Sequence, residues 1–193
     1  SGQTWNLGGT MVKPREDACT TGPVTAYIVA GVNSSGNRLL ASVLVRSGCA
    51  GKGSTNQPMR IEEIPPPERS IVIIKHGMLT GWIRRFRELS YQRIVVIIPI
   101  REPIANCLSI VARGHLSDFE DAYHHRIVAI TRNLVEALAQ RVELELITYE
   151  GLTEPFLKQW LPRIGLPYVP GSLSLPGQHA SNEICNQNAK HYA

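Results

Sequence analysis

A segment near the beginning of the sequence joins an apolar strand directly to an amphipathic helix through a turn of small polar residues. The strand reads VTAYIVAG over residues 24–31, and the helix reads NRLLASVLVRSG over residues 37–48. The strand is apolar without alternation, which is typical of a strand buried on both faces of a parallel sheet. A strand that passes straight into a helix predicts a βα unit, in which the helix packs back onto the sheet.

The same alternation of strands and helices continues along the chain. Further strands are predicted at SIVIIKH, RIVVIIPI and VELELITYE, and further helices at GWIRRFRELS, EPIANCLSIVARGH, SDFEDAYHHRIVAITRNLVEALAQ and EPFLKQWLPRIG. Pro103 falls near the first turn of its helix, where proline is tolerated. In the long helix, Ser117 is predicted as the N-cap and Glu120 as its capping-box partner. The pattern predicts an α/β fold, a three-layer parallel sheet with helices on both faces.

The length and composition of the chain suit one domain. Its 193 residues are enough for one sizeable core, and 43% of them are hydrophobic against 19% charged, as in ordinary globular proteins. We expect residues 1–23 to form a flexible N-terminal lead-in and residues 24–193 to form a single domain.

The balance of charge favours a small anionic ligand over a polymer. Lysine and arginine number 20 against 16 acidic residues, a net charge of +4, and the basic residues are scattered along the chain. We therefore expect no nucleic-acid partner, and no membrane partner because no apolar run approaches the length of a membrane span. Cys19, Cys49, Cys107 and Cys185 form no CxxC pair, which predicts free thiols and a cytoplasmic, reducing location.

The turn after the first strand has the composition of a phosphate-binding loop. Its candidate ligand-binding residues are Asn33, Ser34, Ser35, Gly36, Asn37 and Arg38. Backbone N–H groups in such a turn, with the positive end of the following helix, can bind an anion. Gly31 and Gly36 have the spacing of a P-loop, which predicts a fold of the P-loop nucleotide-binding type. Asn37-Arg38 replaces the usual Lys-Ser/Thr pair, which disfavours ATP or GTP hydrolysis; the alternative is a simple strand-to-helix turn.

A second candidate anion site follows the third strand. Arg101 stands at the end of RIVVIIPI, and Ser109 lies two helical turns into the next helix. A guanidinium group and a hydroxyl group in this arrangement can hold a second phosphate. Two anion sites at one sheet edge indicate a ligand that is phosphorylated at both ends.

Three segments of the sequence together resemble the sulfotransferase family, which uses 3′-phosphoadenosine 5′-phosphosulfate. GVNSSGNRLL is similar to the family's 5′-phosphosulfate loop, REPIANCLS to its 3′-phosphate motif, and LITYEGLTEPFLKQWLPRIGLP to its late segment ending in Gly-Leu-Pro. The resemblance implies that residues 33–38, Arg101 and Ser109 bind this nucleotide, without a metal. It also implies adenosine 3′,5′-bisphosphate as the product and a small molecule or glycan as the acceptor.

The resemblance also indicates which residues would carry out the transfer. In the family's small-molecule branch, a histidine after the second strand takes the proton of the acceptor. Lys75 and His76 stand at that place in SIVIIKHGM, so His76 is the candidate base. Lys75 is the candidate cation for the sulfonate, although adjacent residues of a strand point to opposite faces. The alternative is a strand-capping histidine beside a solvated lysine.

Departures from the family pattern keep two other functions open. Ser34 stands where the family has a basic residue, and Asn37 stands where it has its first threonine. The C-terminal basic, Gly-rich loop is not evident, although Lys190 might take part of its role. A nucleotide-binding module without catalysis is therefore the first alternative. A nonstandard P-loop kinase is the second, and it would need Glu150 as its magnesium-binding carboxylate.

The remaining chemical groups favour structural interpretations. Adjacent residues on a helix diverge by about 100°, so His124 and His125 do not predict a shared metal. Glu62-Glu63 reads as a loop charge pair, although the family's glycan branch uses a glutamate base. Trp82, Trp160 and Tyr149 are predicted in the core, and Lys52 in a mobile loop is a minor nucleotide contact. The sequence leaves the acceptor and the oligomeric state open.

Overall fold

Four parallel strands form a single sheet in the computed structural model, which describes residues 22–51 and 60–173. The strands are β1 (Thr25–Val29), β2 (Ile71–Ile74), β3 (Arg93–Ile100) and β4 (Glu143–Thr148). Their order across the sheet is β2-β1-β3-β4. The α/β prediction with a parallel sheet is confirmed. Buried strands are continuously apolar because helices cover both of their faces.

The helices divide between the two faces of the sheet. The α-helices are α1 (Asn37–Arg46), α2 (Leu79–Glu88), α3 (Pro103–Ala112), α4 (Phe119–Ala139) and α5 (Glu154–Arg163). Helices α1 and α5 pack on the face that carries Val29. Helices α2 and α4 pack on the opposite face, which carries Ile28. Helix α3 packs against α4 through Cys107, Ile110 and Ala122.

The parallel register brings four chain segments to one edge of the sheet. Val29 pairs with both Ile74 and Ile97, and Ile100 pairs with Thr148. The segments that leave the strands therefore start side by side at their carboxyl ends. This is the edge at which ligands bind in open parallel sheets.

The predicted cap of the long helix is wrong by one residue. Asp118, not Ser117, is the N-cap of α4, and its Oδ1 accepts a hydrogen bond from the backbone N–H of Asp121 at 2.8 Å. A carboxylate at this position also interacts favourably with the positive helix end. Pro103 does begin α3, as expected.

Two of the four cysteines lie in the described part of the chain. Cys49 and Cys107 are buried free thiols, as predicted. Burial raises the pKa of Cys49 to about 12, so this thiol stays protonated and unreactive. The predictions for residues 1–21, Lys52, Cys185 and Lys190 fall outside the described residues. Among the described helices, none is both long and apolar enough to span a bilayer.

Candidate functional site

The turn between β1 and α1 is held in shape by side chains of its own. Asn37 Oδ1 accepts from the backbone N–H of Gly31 at 3.0 Å, and Asn37 Nδ2 donates to the carbonyl oxygens of Gly31 and Val32 at 2.9 and 3.0 Å. Ser35 Oγ donates to the Val32 carbonyl at 2.8 Å. Both side chains are buried. Asn37, at the position of the P-loop lysine, therefore closes the base of the turn instead of extending toward a ligand.

Two glycines are required in this turn for different reasons. A Cβ at Gly31 would lie 2.3 Å from both Asn37 Oδ1 and Ser35 Oγ, so the hydrogen-bonded closure needs the empty space. Gly36 has φ +97°, and a Cβ there would lie 2.4 Å from the Tyr149 ring. Gly36 thus permits both the left-handed backbone and the close approach of an aromatic ring.

The N-terminus of α1 differs from those of the other described helices. Its N-cap is Gly36, and no acidic residue occurs in its first turn. The N-termini of α3, α4 and α5 are capped by side chains of Glu102, Asp118 and Thr153. In α2, the Thr80 N–H donates to the Glu136 carboxylate at 2.9 Å. The first N–H groups of α1 therefore have no capping side chain, which leaves them able to bind an anion.

Arg101 follows β3, at the second candidate anion site, and its side chain is buried and hydrogen-bonded. It is 2% exposed, its Nη1 donates to the Ser34 carbonyl at 3.2 Å, and its guanidinium lies 5.1 Å from the centre of the Tyr149 ring. A buried guanidinium carries a full charge at any physiological pH. Arg101 therefore places a positive charge directly behind the turn and also fixes the turn's conformation.

Helix α3 contributes buried polar groups beside Arg101. Asn106 Nδ2 donates to the Asn33 carbonyl at 2.9 Å. Among the described residues, Asn106 Oδ1, Ser109 Oγ and Ser34 Oγ are buried without a hydrogen-bond partner. An unsatisfied buried polar group costs about 1–3 kcal/mol. Such groups therefore indicate a site that is completed by a ligand or by water.

His76 is joined to the turn by a hydrogen bond. Its Nδ1 lies 2.8 Å from the Gly31 carbonyl oxygen. A carbonyl oxygen only accepts, so Nδ1 carries the proton, and in the neutral ring Nε2 carries the lone pair. His76 can therefore act as a base through Nε2 while Nδ1 stays tied to the turn.

The surroundings of His76 keep its ring neutral. Burial lowers the pKa of His76, the nearby charges of His115, His125 and Lys75 lower it further, and the hydrogen bond to Gly31 raises it. Burial is the largest of these causes. A lowered pKa favours the unprotonated, basic form of the His76 ring at neutral pH.

The structure places Lys75 away from the turn and leaves Arg38 exposed at its edge. The strand ends at Ile74, and Lys75 Nζ lies 3.7 Å from the centre of the Trp82 ring on the α2 side of the sheet. Burial lowers the pKa of Lys75. Arg38 is exposed on the first turn of α1. Lys75 would have to leave Trp82 to act as a second cation at the turn, beside Arg101.

Helix α4 supplies three polar contacts to this edge that sequence reasoning missed. Asn133 Nδ2 donates to the Ala30 carbonyl at 2.6 Å, Arg132 Nη2 to the His76 carbonyl at 2.8 Å, and Arg126 Nη2 to the Arg101 carbonyl at 3.1 Å. These bonds hold the ends of β1, β2 and β3. A sequence signal for Asn133 exists, because it lies between Ala129 and Ala137 on the buried face of α4.

Other predicted residues take structural places. Trp82 and Trp160 are buried, as expected. Tyr149 is half-buried and packs against the core cluster under α1 and α5, as expected, and its ring also contacts Arg101. Glu62 and Glu63 lie in a short 3₁₀ helix, Ile61–Glu63. His124 and His125 are both exposed on α4.

Comparisons with known proteins leave the family unassigned. No protein-family model matches the chain, and no curated protein matches it at a significant level. The function must therefore be argued from the site.

Proposed function

We propose that this protein is a sulfotransferase-like enzyme that moves a sulfuryl group from 3′-phosphoadenosine 5′-phosphosulfate to a hydroxyl or amine acceptor. The observation that carries the proposal is the hydrogen bond of His76 to Gly31. It couples a neutral histidine base to a phosphate-type turn, at an edge where Arg101 adds a fixed positive charge. A base beside two anion-binding elements is the arrangement that sulfuryl transfer requires.

The described residues fit such a nucleotide. The uncapped N-terminus of α1 and the turn at residues 33–38 would hold its 5′ end. Arg101 and Ser109 would hold its 3′-phosphate, and the buried Ser34 and Ser109 hydroxyls, which lack partners among the described residues, are suitable donors. Charge-assisted hydrogen bonds of this kind are about twice as strong as neutral ones. When bound, the nucleotide supplies the sulfuryl group.

His76 would take the acceptor proton. Nε2 accepts the proton from the acceptor's O–H or N–H group, and the ring becomes an imidazolium that still donates from Nδ1 to Gly31. The Gly31 carbonyl therefore orients the ring before the transfer and stabilises its charge afterwards. No metal is needed for this proton transfer.

One observation favours the alternative of a nucleotide-binding module without catalysis. The family's basic residue is replaced by Ser34, and Lys75 lies over Trp82 instead of at the turn. Neither residue then supplies a cation that contacts the transferred sulfonate, since the fixed charge of Arg101 lies behind the turn. The kinase alternative has weaker support, because the Glu150 carboxylate already accepts the Glu102 backbone N–H at 2.9 Å.

Calorimetric titration with adenosine 3′,5′-bisphosphate tests the proposal, with ATP plus Mg²⁺ and AMP as competing ligands. We expect micromolar or tighter binding of the bisphosphate and weaker binding of AMP. Ser109→Ala should weaken binding about tenfold or more, the loss expected for a hydrogen bond to a charged group. Ser117→Ala, an exposed serine between α3 and α4, should bind like the wild type.

The outcomes separate the functions. Absence of bisphosphate binding overturns the proposal, and binding of ATP with Mg²⁺ alone supports the kinase. Because Arg101 is buried, Arg101→Lys is preferred to alanine, and a melting curve for this variant distinguishes lost binding from lost folding. Bisphosphate binding without transfer to any acceptor in a broad screen would support the non-catalytic module.

A further inference from the structure

The outer face of α4 carries a run of exposed apolar side chains. They are Tyr123, Ile127, Val128, Val135 and Leu138. The face is largely uncovered, since Val128 is 62% exposed and Leu138 is 64% exposed. Single exposed apolar residues are common, but a concentration on one helix face indicates an interaction surface.

Part of this surface, formed by Val128, Val135 and Leu138, lies opposite the face by which α4 packs on its own domain. Ala122, Ala129, Asn133 and Ala137 are buried, and they follow one another at spacings of seven and four residues. At 100° per residue, Thr131 and Leu138 lie on the reverse side of the helix. Apolar residues on two opposite faces are not explained by packing within one domain.

Three of these apolar side chains and two exposed polar ones, His124 and Thr131, have the spacing of a helix-pair seam. His124, Val128, Thr131, Val135 and Leu138 alternate in steps of four and three residues. Steps of this kind keep one stripe of side chains facing a partner helix along its length. The stripe runs through most of the 21 residues of α4.

The charges at the two ends of the stripe favour a second copy of α4 as the partner, in antiparallel orientation. Glu120 lies in the first turn of α4 and Arg141 just beyond its last turn, and both are exposed. Neither takes part in the ion pairs formed among the described residues. In an antiparallel pair of identical helices, Glu120 of one copy meets Arg141 of the other at both ends. A parallel pair would set Glu120 against its own copy, which is repulsive.

We propose that this face of α4 is the interface of a homodimer with two-fold symmetry, in which the two α4 helices pair antiparallel. Thr131 lies near the two-fold axis, Val128 packs against Val135 of the other copy, and Leu138 packs against His124 of the other copy. Self-complementary surfaces of this type close after two subunits.

The neighbouring edge strand carries one further exposed apolar side chain. Leu146 of β4 is 54% exposed, and the alternation along β4 puts it on the sheet face of Leu144, which packs with the core under α4. A helix pair alone buries less than the roughly 1,200–2,000 Å² of a standard interface. Added area from Leu146 therefore favours a stable pair.

Sedimentation velocity of the full chain over a range of concentrations tests this proposal. We expect a concentration-dependent dimer of twice 21.3 kDa, shifted to monomer by Leu138→Asp or Val135→Asp. The matched control is Met78→Asp, since Met78 is 79% exposed but lies outside α4. All three sites are exposed, so circular dichroism should show unchanged folding.

A charge exchange tests the antiparallel register. Arg141→Asp alone should weaken the dimer, and the double change Glu120→Arg with Arg141→Asp should restore it, because the exchanged charges again meet between copies. The proposal is overturned by a wild-type chain that stays monomeric, or by a dimer that survives Leu138→Asp. A double variant that remains as weak as Arg141→Asp overturns the register.

Discussion

His76 Nδ1 and Asn37 Nδ2 both donate to the carbonyl oxygen of Gly31, at 2.8 and 2.9 Å. His76 follows β2 and Asn37 begins α1, so the end of one strand and the start of one helix are joined at Gly31, two residues after β1. The arrangement makes the conformation of the turn and the tautomer of the histidine depend on each other.

His76→Asn separates the support of the turn from the proton transfer. Asparagine retains a donor near the Nδ1 position and lacks Nε2, so we expect bisphosphate binding close to that of the wild type and transfer reduced by about 10²–10⁴-fold. His76→Ala should weaken both. Calorimetry and a transfer assay measure the two effects; equal transfer rates in wild type and His76→Asn would exclude His76 as the base.

The transfer rate should fall on the acid side of the ordinary histidine pKa. Burial holds the pKa of His76 below its usual value of 6.5, so the free base persists at pH 6.5 and is lost only as the pH drops through the lowered pKa. The pH dependence of kcat/KM and the NMR titration of the His76 ring should give the same midpoint. A midpoint above 6.5 would contradict the assignment.

Asn37→Asp should destabilise the turn although the two side chains have nearly the same size. The Oδ1 acceptor for Gly31 N–H is kept, but the second carboxylate oxygen would face the carbonyl oxygens of Gly31 and Val32, to which Nδ2 now donates. We expect a loss of about 1–3 kcal/mol in the free energy of unfolding, measured by urea denaturation. Asn37→Ala is the comparison, and an aspartate variant as stable as the wild type would refute the amide orientation.

Gly31→Ala and Gly81→Ala should have opposite effects on the stability of the fold. At Gly31, the new Cβ would lie 2.3 Å from two hydrogen-bonded oxygens and 2.7 Å from Pro99 Cγ, whereas at Gly81, within α2, no atom lies within 4 Å. We expect Gly31→Ala to destabilise the fold, and Gly81→Ala to stabilise it by up to about 1 kcal/mol through helix propensity. Melting temperatures of the two variants test this prediction. A Gly31→Ala variant that melts at the wild-type temperature would show that the turn can relax.

Stability should decline at acidic pH partly through Glu143. Arg93 Nε donates to Glu143 Oε1 at 2.7 Å, and this bond holds the pKa of Glu143 below its usual 4.5. The contribution is therefore present above pH 4.5 and lost as the pH falls through the lowered pKa. Because the pair is half-exposed, Glu143→Gln should cost about 0.2–1 kcal/mol at pH 7, and less near pH 3. A loss that is equal at both pH values would refute this coupling.

The fold was predictable because its signals are local. A continuously apolar strand such as RIVVIIPI must be covered on both faces, and its bounds, Arg93–Ile100, are those of β3. The N-cap of α4 was missed by one residue, since Ser117 and Asp118 are both good caps and only the path of the chain decides between them.

The candidate site was predictable only in part. The sequence placed Arg101 after β3, but not its burial against Tyr149 or its bond to the Ser34 carbonyl. The three bonds from α4 to the strand ends join residues that are 103, 56 and 25 positions apart. The spacing of buried residues along α4 marks Asn133 as buried, but it does not show which carbonyl oxygen the side chain contacts.

The sequence by itself determined the order of strands and helices, the glycine-containing turn and the positions of Arg101 and His76 after their strands, because short-range periodicity and turn chemistry act between neighbours in the chain. The tertiary structure alone decided which way these side chains point. It directed Lys75 to Trp82, Asn37 into the turn and His76 to Gly31. The physical reason is that these choices depend on which buried donors and acceptors meet when distant segments pack, and most buried polar groups find their partners there.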